Sequence, residues 1–454
     1  MQYLTLWDLI LTPFYLLILI FIAKKQRDKR YPRGHALRKY YLPGLYAKFG
    51  GAIFIGLVYA FYYKGGDTFN YFSHAQIINS SLEDSFDKWV KLILHNSIYE
   101  SPDIYSYASQ LYWYDSPAEY TVGVITAILG LFTFTTYLPT AILFAYLAYT
   151  GIWAMYKTFV QLYPKLIKPL AIVFLFIPST VVWGSGIFKD TICMFGLGWL
   201  TYATFRCFVN KDFSFKNILL ILLSFYLIAQ VKMYILLGFM PALAMWLLLT
   251  YSNQIKSAAT RWAVNILFIA FTIAGALFFM QRFAEELNKY SLENIAQTAK
   301  VTQNWTNFAS GDEGASYSIG EIDGSIGGLL RLFPQAVVVT FFRPFPWEAR
   351  KVMVLFSALE SLVFLYFTLQ MFFKPRRKPL SHLVKDPTIF FCLVFALIFG
   401  FAVGVSSGNF GALSRYKIPA LPFYGAVLAI MIGEAKAPVV SKKGKLSRRI
   451  QPAM

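Results

Sequence analysis

The stretch LTLWDLILTPFYLLILIFIA, residues 4–23, is followed directly by the basic stretch KKQRDKRYPR, residues 24–33. The first stretch contains a single charged residue, Asp8. A run of roughly 20 apolar residues is long enough for a helix to cross the hydrocarbon core of a bilayer. Lys and Arg collect in the cytoplasmic loops beside such spans. The two segments therefore predict a retained transmembrane helix, an external N-terminus and a cytoplasmic loop, rather than a cleaved signal peptide.

Similar apolar runs recur along the sequence. Of the 454 residues, 57% are hydrophobic and 14% are charged, whereas soluble domains have about 25% charged residues. Helices and closed barrels are the structures that can span lipid, and these runs are too long for barrel strands. We predict an all-α, polytopic integral membrane helical bundle with about 11 to 13 transmembrane helices. The further runs lie near residues 42–62, 120–135, 138–156, 169–183, 191–208, 217–230, 233–251, 263–280, 352–373, 387–405 and 418–433.

Two long polar segments, residues 63–117 and 281–328, are predicted to be external loops that contain amphipathic or re-entrant helices. Within the first, residues 85–94 (SFDKWVKLIL) have the helical spacing of apolar side chains typical of a helix on the membrane surface. Residues 329–345 are interrupted by prolines, so we predict that they do not cross the membrane as one continuous helix. Residues 1–434 are interpreted as a single transmembrane domain, and residues 435–454 as a basic cytoplasmic tail.

The net charge of +19 comes from Lys and Arg clusters beside the apolar runs. This distribution indicates membrane topology and argues against nucleic acid as a partner. It places residues 24–39, residues 374–386 and the tail in the cytoplasm, and we expect a multi-pass protein of the bacterial inner (cytoplasmic) membrane. The three cysteines lie in apolar runs, which argues against a disulfide framework. The sequence requires no cofactor. A divalent metal is left open but has no support, because His74 and His95 lack a third ligand at metal spacing and so form no metal site.

The first external segment begins with GGDTFNY, residues 65–71. Two glycines allow a sharp turn and would place the carboxylate of Asp67 at the membrane surface. A carboxylate there could be the general base for a sugar hydroxyl, or could bind a cation. The alternative is a helix C-cap with Asp67 simply solvated.

A second motif, WGSGIFKD at residues 183–190, separates two apolar runs. Charged groups at membrane depth usually face a cavity or a partner. Lys189 and Asp190 could hold a phosphate, or Asp190 could cap the following helix, where the dipole favours a carboxylate. Ser185 would need a histidine as its base, and the apolar runs contain none, which argues against a serine protease.

The string FRPFPWEAR, residues 342–350, carries two arginines around a glutamate. Guanidinium groups match phosphate oxygens in a way that a lysine ammonium does not. Arg343 and Arg350 are therefore candidate phosphate ligands, with an interfacial anchor containing an Arg–Glu348 ion pair as the alternative. Arg415 and Lys417, in SRYKIP at residues 414–419, place further cations on the predicted external side. Glu360 and Lys232, inside or between apolar runs, are either cavity residues or relay groups.

The order of these motifs resembles membrane-embedded polysaccharide polymerases of the Wzy and EpsG type and, more broadly, the glycosyltransferase-C superfamily. Residues 66–71 look like the Gly-x-Asp-x-x-x-Tyr stretch of the first external loop in the EpsG type. Residues 185–190 look like that family's Ser-Gly-x-Arg-Gln, although Lys189 and Asp190 stand where Arg and Gln are usual. Residues 415–422 (RYKIPALP) resemble the Arg and Pro-rich entry to a late span in many transferases that use lipid-linked sugars.

This resemblance implies a polyprenyl-diphosphate-linked glycan donor, a glycan acceptor and transfer at the external face. Asp67 would be the base or a cation ligand, and the lipid diphosphate would be held by Arg343, Arg350, Arg415 and Lys189. Supporting roles fall to Asp190, Glu348 and Lys417, and sugar rings could stack on Trp113, Trp305 and Trp347. If so, Asp67 and the three arginines converge on one external cavity. The alternatives are a transporter or flippase for lipid-linked sugar, and a scaffold subunit of an envelope complex.

Overall fold

The computed structural model is helical and describes residues 4–252, parts of 255–274, and residues 295–310, 316–320, 326–373 and 380–433. Within these residues, seven helices are long and apolar enough to cross a membrane, and a bent helix pair would make an eighth. The prediction of a polytopic membrane helical bundle is therefore confirmed. The chain divides into two compact units, Met1–Met233 and Tyr234–Lys436, which are described separately. The interpretation of residues 1–434 as one domain stays a prediction.

The first unit contains helices from the N-terminus to the break in a long helix at Lys232. Their bounds, in chain order from α1 to α11, are Leu6–Arg30, Arg38–Leu57, Asp67–Ser80, Phe86–Ile93, Tyr105–Ala108, Pro117–Leu131, Tyr137–Leu162, Ile167–Leu175, Pro178–Trp183, Lys189–Thr204 and Phe215–Ser252. Short π-helical turns, Val58–Tyr62 and Phe205–Val209, extend α2 and α10. The residues of α11 that follow the break, from Tyr234 onward, belong to the second unit.

The second unit contains the remaining described helices. From α12 to α19 their bounds are Ile295–Ser310, Ile326–Arg331, Phe333–Phe342, Val352–Phe373, His382–Lys385, Pro387–Ser406, Phe410–Tyr416 and Leu421–Gly433. Helices α18 and α19 are the bent pair, with an angle of 70° between them. Four 3₁₀ turns are also described along the chain: Ser81–Glu83, Pro102–Ile104, Pro164–Leu166 and Pro346–Glu348.

The described residues contain fewer spans than the predicted 11 to 13. The run at 120–135 forms α6, whose 15 residues reach only about 22 Å. The run at 169–183 divides into two short helices, α8 and α9. The runs at 217–230 and 233–251 meet at Lys232, where the backbone of Phe215–Ser252 is interrupted, and together they make one candidate span. Apolar composition alone does not reveal where a helix is interrupted. The run at 263–280 lies largely outside the described residues.

The first predicted external segment is a folded helical layer. Helix α4 begins after Ser85, whose hydroxyl accepts a hydrogen bond from the backbone N–H of Asp87 at 3.1 Å. This confirms the predicted amphipathic helix. Its Leu92 packs with residues of α3, α5 and α6 in one apolar cluster, so burial of apolar surface holds the layer together. The cluster comprises Ala75, Ile78, Leu92, Ile104, Ala108, Leu111, Tyr114, Tyr120 and Ala127.

The segment 329–345 is broken, as predicted from its prolines. Helix α13 ends at Arg331, and α14 contains ten residues, about 15 Å of helix, which is too short to cross a bilayer. Helix α14 packs closely on α17 at Gly404. The backbones approach so closely there that a Cβ atom at Gly404 would come within 2.3 Å of the Ala336 carbonyl oxygen. The hydroxyl of Thr340 also donates to the Gly400 carbonyl at 2.7 Å.

In the first unit, α7 and α10 meet backbone to backbone. A Cβ atom at Gly198 would lie 2.1 Å from the carbonyl oxygen of Gly151, and one at Gly151 would lie 2.4 Å from the carbonyl oxygen of Phe195. Small residues allow this close approach between membrane helices, where van der Waals packing replaces the hydrophobic effect. The crossing point therefore requires glycine at both positions.

Cysteine labelling in intact cells tests the predicted sidedness of the second long polar segment. Asn304 is exposed on α12, and the three native cysteines are buried, so they should contribute little background. We expect Asn304→Cys to react with a membrane-impermeant maleimide in intact cells. Ser381→Cys, an exposed position in the predicted cytoplasmic loop, should react only after permeabilisation. The reverse pattern would contradict the topology of the second half.

Candidate functional site

Asp67 is the first residue of α3 and follows a sharp turn. Backbone φ angles are +55° at Lys64, +135° at Gly65 and +115° at Gly66, a region that glycine adopts without strain. A Cβ atom at Gly66 would also come within 2.8 Å of the Tyr59 ring. The turn also closes the preceding helix, because the Gly65 N–H donates to the Tyr59 carbonyl at 3.0 Å, as in the C-cap alternative. Asp67 itself begins α3, where the helix dipole favours a carboxylate.

The half-buried Asp67 lines an open cavity of about 420 Å³ in the first unit. The other side chains at this cavity are two tyrosines, Tyr59 and Tyr63, and the cation of Lys64. The start of α3 is fixed by a 2.7 Å hydrogen bond between the hydroxyls of Thr68 and Tyr137. A carboxylate, aromatic rings and an ammonium around one cavity can bind a hydroxylated ligand and accept a proton from it.

The second motif is held by ion pairs within the first unit. Lys189 contacts the carboxylate of Glu119 in the first turn of α6. Asp190, fully buried, pairs with Lys232 at 2.5 Å, and Lys232 is the residue whose φ of −150° and ψ of 72° interrupt α11. Each of the two charged side chains, Lys189 and Asp190, therefore has an oppositely charged partner within the protein. The predicted phosphate-binding role of Lys189 stays a prediction.

Lys48 was not identified from the sequence as a candidate residue. It is 1% exposed in the transmembrane helix α2, and its Nζ donates to the carbonyl oxygens of Thr180 at 2.9 Å and Gly184 at 2.7 Å. Both carbonyls belong to the C-terminal end of the short helix α9, where a cation is favourable. The available signal was a lysine inside an apolar run, which normally has a specific partner.

Arg343 is part of a compact cluster in the second unit. Its guanidinium forms an ion pair with Glu348 that uses Nε and one terminal nitrogen. It also lies 5.2 Å from the ring centroid of Phe410 and 5.9 Å from that of Tyr317, distances at which cation–π attraction operates. The Arg–Glu348 ion pair, which the sequence analysis gave as an alternative, is therefore present. The other terminal nitrogen lies outside that ion pair and could contact an anion.

Lys417 connects to the same cluster. It is buried, and its Nζ donates to the Ser361 hydroxyl at 3.0 Å, which in turn donates to the Arg343 carbonyl at 3.0 Å. Lys417 lies at the bend between α18 and α19, next to the predicted ligand Arg415. Glu360, 7% exposed, precedes Ser361 on α15. The sequence identified these residues, but not that Ser361 links them.

The remaining predicted residues differ in exposure. Arg350 is exposed and Arg415 is half-buried. Trp305 and Trp347 are exposed, whereas Trp113 packs against Tyr71 and His74 with centroids 5.0 and 5.5 Å apart. Asp67 belongs to the first unit and the arginines to the second, so their convergence stays a prediction. Among the described residues, no group of three or more His, Cys, Asp or Glu side chains is placed to hold a metal ion.

His74 makes the stability of the α3–α6 layer sensitive to pH. Its Nε2 accepts a hydrogen bond from the backbone N–H of Trp113 at 3.4 Å, and the side chain is 3% exposed. Burial lowers the pKa of His74 to about 4, whereas an unperturbed histidine titrates near pH 6.5. The unfolded state therefore binds the proton first, and stability falls as the pH drops from about 6.5 to about 4.

We expect the substitution His74→Gln to flatten this part of the stability profile, because glutamine does not titrate. Thermal unfolding of the purified protein in detergent, measured at intervals between pH 7.5 and pH 4, provides the measurement. The two proteins should lose stability in parallel below about pH 4, where the folded-state histidine is also protonated. If the stability of the two proteins fell equally with pH between about 6.5 and 4, His74 would not be the group responsible for this loss.

No protein-family model, curated protein or solved structure matches this chain.

Proposed function

We propose that this chain is a membrane-embedded glycosyltransferase or polysaccharide polymerase. It would use a polyprenyl-diphosphate-linked sugar donor at the external face of a bacterial inner membrane, for cell-envelope glycan synthesis. The supporting observation is the Asp67 carboxylate at the start of α3, on an open cavity that also presents Tyr59, Tyr63 and Lys64. This set combines a proton acceptor with rings suited to a sugar face.

In the proposed reaction Asp67 accepts the proton of an acceptor hydroxyl. The hydroxyl oxygen then forms a bond to the anomeric carbon of the donor, and the bond from that carbon to the diphosphate oxygen breaks. Negative charge develops on the lipid diphosphate that leaves, so cations held in place favour the transition state over the ground state. Candidate cations are Arg343, Arg350 and Arg415, with Lys189 as a further candidate.

Reconstitution tests this proposal against transport. The purified chain is placed in liposomes that contain a polyprenyl-diphosphate-linked oligosaccharide with a fluorescent label on the glycan, and the products are separated by size. We expect a glycan longer than the donor, together with released lipid diphosphate. A donor that crosses the bilayer unchanged would contradict the enzyme and support a flippase.

The flippase remains the second candidate because charged residues are buried at helix interruptions. Asp190 and Lys232 pair where α11 is broken, and Lys417 is buried at the bend between α18 and α19. Broken helices with polar groups at depth are typical of transporter binding sites. The same reconstitution, with a reducing agent added outside to quench label in the outer leaflet, measures the crossing of donor directly.

A further inference from the structure

A second cavity lies in the first unit, between the end of α1 and the start of α2. It has a volume of about 480 Å³ and is lined by three cations, Arg27, Arg38 and Lys39, together with His35 and the apolar residues Leu42 and Pro43. It is separate in sequence from the cavity at Asp67. None of the roles proposed above uses these residues.

The cations are held in place by local hydrogen bonds. Oδ1 of Asp28 accepts from Arg27 at 2.7 Å and from Arg38 at 2.6 Å, so one carboxylate orients two guanidinium groups toward each other. Arg38 also donates to the Tyr31 carbonyl at 2.6 Å. Lys39 also lines the cavity, so three cations stand against the single carboxylate of Asp28 and the cavity keeps an excess of positive charge. Such a site attracts an anion with several oxygen atoms.

His35 is oriented by the turn that connects the helices. Its backbone N–H donates to the Pro32 carbonyl at 3.0 Å, and its Nδ1 accepts from the backbone N–H of Leu37 at 3.1 Å. When Nδ1 accepts, the ring proton of a neutral histidine is on Nε2. The ring can therefore act as a further hydrogen-bond donor at the cavity.

The exposed surface of α1, the helix that ends beside this cavity, is apolar. Leu17 and Phe21 are 69% and 68% exposed, as expected for side chains that face acyl chains. Arg27 follows Phe21 by six residues, about 9 Å along the helix and about 120° around it. An apolar helix surface close to a basic cavity suits a phospholipid, whose acyl chains continue from a phosphate headgroup.

We infer that the cavity between α1 and α2 binds the phosphate headgroup of an anionic phospholipid, with Arg27, Arg38 and Lys39 as its ligands and the lipid chains along α1. The occupant is a lipid and not a free phosphate, because the lining continues into Leu42 and Pro43 and the exposed face of α1 is apolar. Such a lipid would fix the position of α1, whose outward face has little protein cover.

Native mass spectrometry of the full chain in detergent tests this site. The protein is titrated with phosphatidylglycerol, and the first bound lipid is counted. We expect Lys39→Gln to weaken binding of that lipid by about fivefold. Lys39 is suited to the test because it is exposed and its ammonium lies 5.0 Å over the Tyr40 ring, so its loss should not unfold the protein. Arg27→Gln is the second variant and should have the same effect.

The matched control is Arg33→Gln. Arg33 is exposed in the same connecting turn but does not line the cavity. We expect it to leave the affinity unchanged, whereas equal weakening by Arg33→Gln and Lys39→Gln would show diffuse attraction and overturn the site. Equal binding of phosphatidylcholine, or displacement of phosphatidylglycerol by equimolar glycerol 3-phosphate, would overturn a headgroup site for an anionic lipid.

Discussion

The substitution Asp67→Asn is expected to abolish sugar transfer, with a loss of at least about a hundredfold in rate, while binding of the lipid-linked donor stays close to normal. Asparagine has the same shape but cannot accept the proton of the acceptor hydroxyl, and general-base catalysis is worth about 10²- to 10⁴-fold. Because Asn is also well accepted near a helix N-terminus, the fold should be retained. The measurement is the initial rate of glycan extension in liposomes.

The matched control is Asp115→Asn. Asp115 is exposed in the same polar segment and does not line the cavity, so its removal should leave the rate unchanged. Donor binding and the midpoint of thermal unfolding are measured for both variants, to separate catalysis from folding. Normal transfer by Asp67→Asn would defeat the role of Asp67 and leave transport or a scaffold function as the better account.

Asp190→Asn is expected to destabilise the protein strongly, because it leaves the Lys232 ammonium in a buried site without its carboxylate partner. Asp190 is fully buried and Lys232 is 7% exposed. Removing one member of a buried ion pair typically costs about 3 to 5 kcal/mol. Thermal or denaturant unfolding in detergent should show this loss, together with a reduced yield of folded protein.

The control for this prediction is the double variant Asp190→Asn with Lys232→Met. Replacing both charges removes the uncompensated ammonium, and exchanging a buried pair for neutral groups is often close to neutral in stability. We expect the double variant to recover most of the lost stability. A double variant that is no more stable than Asp190→Asn would contradict the pairing. A stable double variant that has lost transfer or transport would give the pair a functional role.

The long apolar runs predicted the transmembrane helices correctly, because the length of an apolar run sets whether a helix can cross the bilayer. Where the sequence failed, apolar runs did not form full-length helices: α6 has only 15 residues, and the run at 169–183 is divided into α8 and α9. The sequence placed Lys232 between two runs and the structure interrupts α11 there, but its partner Asp190 is 42 residues away. A long-range ion pair of this kind has no signature in local composition. The predicted count exceeds the seven or eight candidate spans of the described residues because short and divided helices were counted as full spans.

The candidate site was predicted in part. The two glycines before Asp67 predicted a sharp turn, but not that a helix begins at Asp67, because a polar segment was read as a loop. The Arg343–Glu348 ion pair could be predicted from the sequence because its members are only five residues apart. Lys48 was missed because its partners are backbone carbonyls more than 130 residues later in a helix that the sequence assigned to a continuous span.

The glycine contact between α7 and α10 has a mechanical consequence. Gly151 and Gly198 interlock so closely that one helix cannot slide along the other without its side chains colliding with the opposite backbone. We therefore expect α7 and α10 to move together as one rigid body in any rearrangement of this unit.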